Sequence, residues 1–173
     1  MTRKRRSYEA GHTPKWLVVV DDTPECDRAV YFASRRAARV NAGVIMLRVI
    51  ETADRNQQWL GVADIMKAEA HEEANAALER SAARANGIAG VTPERAVREG
   101  DTAGEILRLI EEDEDIAILV LAAATGQDGP GPLVVSLGGT VGDFPIPVAI
   151  VPGHLTDDEI GRASCRERVS CCV

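Results

Sequence analysis

Aromatic residues are scarce, at 3% of 173 residues. The core must therefore be assembled from Val, Ile, Leu and Ala. An apolar content of 45% makes the chain able to bury one such core, and its length is too short for two comfortable domains. Basic charge is also short: the net charge of -7 argues against a general nucleic-acid or membrane-surface binder. No apolar run approaches the roughly 18 residues of a membrane span, and no signal-peptide core follows the first basic residues, so the chain reads as cytoplasmic. Cysteine is nearly absent from most of it. Of four, Cys165, Cys171 and Cys172 fall in the last nine residues, and only Cys26 lies elsewhere, as expected in a reducing compartment. The adjacent Cys171 and Cys172 have no histidine near them, which is poor metal-ligand spacing.

What is present is alternation of two kinds of segment. Ile116 to Leu121 is apolar throughout, the pattern of a strand covered on both faces, and it reads as the central strand of a parallel sheet. Ala122 to Gly131 then lie at the carboxyl edge of that sheet, where open α/β folds bind ligands, so any site is expected around this loop. Trp16 to Val20, Gly43 to Ile50, Glu94 to Glu99 and Val148 to Val151 read as the other strands. A helix follows the first strand, with Thr23 as cap, Pro24 in its first turn and Cys26, Val30, Ala33, Ala37 and Val40 as its buried stripe, ending near Asn41. Cys26 is then a small core residue rather than a nucleophile. A long helix is predicted over Val62 to Asn86, with Ile65, Met66, Ala70, Ala74, Ala77 and Leu78 inside, after a linker at Glu51 to Gln58. Thr102 and Glu105 are spaced as a capping box for the next helix. Five strands alternating with helices call for a three-layer α/β/α fold with a mostly parallel sheet.

Both ends read as peripheral. Residues 1–14, with Arg3, Lys4, Arg5 and Arg6, form a flexible basic segment, and the acidic run Glu111 to Asp115 is a solvated turn. At the other end, Glu159 to Val169 is similar to a translated sequencing-adapter read-through. Residues 15–158 are therefore taken as the domain and 159–173 as a non-native tail without an apolar face.

Three segments together, VVVDDTPECDRAVYFASRRA, VREGDTAGEILRLIEEDEDIAILVLAA and PIPVAIVP, resemble the universal stress protein family over about Lys15 to Pro152. The resemblance implies an adenine-nucleotide alpha-hydrolase-like fold with strand order 3-2-1-4-5 and a crevice between strands 1 and 4. It implies ATP or a related nucleotide as ligand, no enzymatic activity, and a homodimer through the last strand. Asp21 fills the position of the aspartate that nucleotide-binding members set against the adenosine, with Asp22 where the family usually has glycine, and Thr23 and Val49 count with them as candidate binding residues. Gly126, Gly129, Gly139 and Thr140 match the family's glycine motif for phosphate. Crossing back over a sheet needs a helix of about ten residues or more, however, and only five separate Gly139 from Pro145. A helix over Pro132 to Asp143 satisfies this and leaves Gly139 and Thr140 in mid-helix. Phosphate would then meet the amides of Gly126, Gly129 and Gly131, the helix start near Leu133, and the Thr125 and Ser136 hydroxyls. The loop has no lysine or arginine and carries Asp128, so the alternative is a dimeric interaction module with a decayed nucleotide site. A phosphoacceptor receiver is excluded, because Ala122 to Ala124 and Pro152 to His154 replace its aspartate and lysine.

Overall fold

The computed structural model describes residues 4–52 and 60–164. Strands β1 (Lys15–Val19), β2 (Gly43–Ile50), β3 (Glu94–Glu99), β4 (Ile116–Ala123) and β5 (Val148–Pro152) form one sheet in the order β3-β2-β1-β4-β5. Every pairing is parallel. The middle strand is β1, and the apolar run of β4 lies one place from the edge. Alternation along the buried strands sorts side chains into two layers. Trp16, Val18, Val20, Met46, Val120 and Ala122 face helices α1 (Cys26–Val40), α2 (Leu60–Ala89) and α5 (Asp157–Ser164). Leu17, Val19, Leu47, Leu119 and Leu121 face α3 (Thr102–Glu112) and α4 (Pro132–Gly138). No helix among the described residues is long and apolar enough to cross a membrane.

Local chemistry moves several boundaries. The Thr23 hydroxyl donates to Asp21 instead of capping α1, which starts at Cys26 with no side-chain cap. At α3 the cap is Asp101, whose carboxylate accepts from the Gly104 amide at 2.9 Å, so the Thr102–Glu105 box does not form. Helix α2 runs past Asn86 and Gly87 and stops at Gly90, whose φ of +67° suits a residue without a Cβ. Lys67 and His71 both pair with Glu99, the last residue of β3. The first turns of α2 therefore stand beyond the carboxyl edge of the sheet, and Ile65 and Met66, expected inside, are 62% exposed. After α4, a 3-10 turn at Val141–Asp143 replaces the last part of the expected helix.

Described residues near both ends also pack, contrary to the sequence reading of them. The basic N-terminal run docks against the end of α3 and the acidic run before β4. Arg5 Nη1 donates to the Asp113 carbonyl at 2.9 Å, the Arg6 amide to the Glu114 carbonyl at 3.0 Å, and His12 and Lys15 meet Asp115 and Asp113. At the C-terminus, α5 crosses the expected boundary at residue 158, with Ile160 1% exposed in the α1 layer. Its start is a reciprocal box, in which the Thr156 amide donates to Glu159 and the Glu159 amide to the Thr156 hydroxyl. The linker residues 53–58 and Cys165, Cys171 and Cys172 lie outside the described residues.

Candidate functional site

In a parallel sheet the carboxyl ends of the strands and the helix starts collect on one side, so loops there share a cleft. A cleft on that side has a volume of about 540 Å³. Its floor is Val19 to Thr23 after β1 and Arg48 to Glu51 at the end of β2, and its walls are Ala70, Glu73 and Ala74 of α2, Thr102 of α3, and Pro132, Leu133 and Ser136 of α4. It thus lies over β1 and β2, to one side of the expected crevice between β1 and β4.

Asp21, Asp22, Thr23, Val49 and Ser136 are brought together here. The chain leaves β1 in an Asx-type turn in which Asp21 Oδ1 accepts from the Thr23 amide at 3.0 Å and its hydroxyl at 2.5 Å. No described residue bonds to Oδ2 of Asp21, which is half-buried. Ser136 is less available than expected, because its hydroxyl donates to the Leu133 carbonyl at 3.1 Å.

Thr125, Gly126, Gly129 and Gly131 do not line this cleft. Their loop closes on itself through a 2.9 Å bond from the Ala124 amide to the Pro130 carbonyl. It is also plugged from the β1–α1 side, since a Cβ at Gly131 would lie 3.0 Å from Glu25 Oε1. The amides of Gly126, Gly129 and Gly131 donate to no acceptor among the described residues. With Glu25 and Asp128 nearby and only seven residues in α4, the loop offers an anion little electrostatic support. Gly139 follows the end of α4, and the Thr140 hydroxyl donates to Leu137, both away from the cleft.

Sequence reasoning missed Arg48. Its guanidinium pairs with Asp22, donates to the Val20 carbonyl at 3.3 Å and is only 14% exposed. It is the cation of a cleft that also holds Asp21, Asp22, Glu51 and Glu73. The signal was an arginine in the otherwise apolar β2, together with Asp22 in place of the family's glycine. Cys26 is a buried core residue, as expected, and burial pushes its thiol up to about 11. Among the described residues no group of acidic, histidine or cysteine side chains is placed to hold a metal ion.

The sequence model of the universal stress protein family matches residues 13–152. Among solved structures, UspA from Lactobacillus plantarum is 22% identical with a TM-score of 0.63, covering 80% of this chain and 97% of its own. A universal stress protein from Archaeoglobus fulgidus in complex with dAMP is 15% identical with a TM-score of 0.55, covering 87% of this chain and 99% of its own. An Arabidopsis thaliana family protein with AMP bound is 19% identical with a TM-score of 0.53, covering 80% and 91%. No curated protein sequence matches the chain significantly.

Proposed function

The chain belongs to the universal stress protein family, and from that premise we propose that it is a stress-response module that binds an adenine nucleotide without turning it over. The observation that carries this reading is Asp21. It stands where β1 opens into the cleft, with Oδ1 fixed by Thr23 and Oδ2 left for a ligand hydroxyl or amine, while Val49, Ile50 and Ala70 offer apolar surface to a base. That relatives of the same fold hold AMP and dAMP supports the ligand class. ATP, the ligand the resemblance implies, suits the cleft less well than a monophosphate. Each added phosphate would meet Asp22, Glu51 and Glu73 with Arg48 as the one cation lining the cleft among the described residues. Binding without turnover fits a cleft whose described lining includes no histidine or cysteine.

Titration calorimetry with adenosine, AMP and ATP tests the reading. The parent protein should bind adenosine and AMP. Asp21→Asn should weaken both together by about 1 to 3 kcal/mol, the range for losing a charge-assisted hydrogen bond. No heat from either ligand at millimolar concentration would favour the second reading, a dimeric interaction module. That reading draws on β5, a sheet edge paired, among the described residues, with β4 alone and carrying Ile150 at 47% exposure.

A further inference from the structure

The cleft ends at a wall made by one side chain. Thr23 and Pro132 both border the cleft, and directly behind them Glu25 reaches across to Gly131. Two glycines keep open the slot that it fills. A Cβ at Gly131 would lie 3.0 Å from Glu25 Oε1, and a Cβ at Gly153 would lie 2.9 Å from Glu25 Cβ. Gly131 lies between β4 and α4 and Gly153 follows β5, so the slot joins three loops at the carboxyl edge of the sheet. The carboxylate in it does no work for α1: it makes no cap hydrogen bond there, and among the described residues it enters no ion pair. Beside it are unpaired amides. Those of Gly126, Gly129 and Gly131 donate to no acceptor among the described residues, and all three glycines have positive φ. Free amides in such a turn favour an anion, and the anion that the chain itself sets against Gly131 is Glu25. The same contact accounts for the position of the cleft. Closed toward β4 at Glu25, the cavity is left over β1 and β2.

We propose that Glu25 is a specificity-determining gate: with its carboxylate against Gly131 the cleft accepts a nucleoside, and a phosphate reaches the glycine loop only when that side chain swings out. This rests on the nucleotide reading above. Opening breaks no hydrogen bond or ion pair of the carboxylate among the described residues, and only the Cβ of Glu25 is confined by Gly153. The penalty falls on phosphate alone. Glu25 does not line the cleft, so a base and sugar over Val49 and Asp21 leave it in place, whereas two anions cannot share one slot.

Titrations of the full chain, Glu25→Gln and Asp128→Asn with adenosine, AMP and inorganic tripolyphosphate test the gate. Glu25→Gln keeps the size of the side chain and removes its charge. It should tighten AMP about tenfold, as removal of one close like charge does, and leave adenosine unchanged. Asp128→Asn makes the same change of net charge on an exposed, screened residue of the loop and should move neither ligand appreciably. As a second readout, tripolyphosphate should shift the backbone amide resonances of Gly126, Gly129 and Gly131 in Glu25→Gln and not in the parent. Equal gains for AMP in the two variants would reduce the effect to overall charge and overturn the gate, as would an unchanged ratio of AMP to adenosine affinity in Glu25→Gln. Loss of both ligands together, with a lower melting temperature, would give Glu25 a structural role and overturn it too. If adenosine fails to bind the parent while tripolyphosphate shifts the three amides in Glu25→Gln alone, the nucleotide reading falls and the gate stands as a control on anion entry. Glycine amides that answer neither AMP nor tripolyphosphate in any variant overturn the gate.

Discussion

A single glycine shows how tightly the loops beside the cleft are joined. The Gly153 amide donates to the Ala123 carbonyl at 2.7 Å, and a Cβ there would sit 2.8 Å from that oxygen and 2.9 Å from Glu25 Cβ. The loops after β1, β4 and β5 meet at this point, and the obstructing atoms belong to backbone or to a Cβ and cannot swing aside. Gly153→Ala is therefore expected to cost about 1 to 3 kcal/mol, read as a lower urea midpoint with an unchanged m-value. Nothing in the sequence around Pro152 and Gly153 announces this, because the neighbours that forbid a side chain come from two distant loops. Asp21 is the opposite case: an aspartate ending an apolar strand stands out in the sequence, and its turn through Thr23 is local.

Arg5, Arg6 and helix α5 pack although their sequence reads as peripheral, because their partners are remote. Arg5 and Arg6 look solvated until the end of α3 and the residues after it are placed against them. The hydrogen bond from Arg6, aided by Lys4, lowers the Glu9 carboxyl from its ordinary 4.5 to about 2. A carboxylate depressed in the folded state contributes stability that is present above its ordinary value and fades as pH falls toward the folded one. Unfolding free energy should thus rise with pH between about 2 and 4.5 from this source, by a small amount because the pair is exposed. An NMR titration of the Glu9 carboxyl carbon should place its midpoint near 2 and return it toward 4.5 in Arg6→Ala. Helix α5 makes a stronger claim. Ile160→Ala removes a side chain that is 1% exposed and should cost about 2 to 4 kcal/mol. Truncation after Asp158, which deletes Ile160 and the Glu159 half of the capping box, should lower the melting temperature by at least about 4 °C. An unchanged melting temperature would mean that the tail is dispensable, as its sequence alone suggests.

At the scale of the whole molecule, the parallel sheet places its cleft and its open edge on different surfaces. The cleft lies over β1 and β2, whereas β5 leaves one side of its backbone unpaired among the described residues and exposes Ile150, with Val135 of α4 63% exposed. Edge pairing with a second copy would satisfy those groups without touching the cleft. Light scattering at tens of micromolar should give the mass of a dimer, and Ile150→Lys should give a monomer with adenosine affinity unchanged. A parent that runs as a monomer under those conditions counts against pairing through β5.

The sequence by itself determined the fold class. Continuous apolar runs in β1, β2 and β4, separated by amphipathic helices, admit only a parallel sheet covered on both faces, and the strands at 43–50 and 94–99 have the bounds the pattern predicts. The family resemblance carried by short local stretches pointed to Asp21, Asp22, Thr23 and Val49, and these residues line one cleft. The tertiary structure alone decided where the cleft lies, that Arg48 enters it, that Glu25 plugs the glycine loop, and that Arg5, Arg6 and helix α5 are docked. Each of these is a contact between segments far apart in the chain, and periodicity reports which face of an element is buried without naming what covers it.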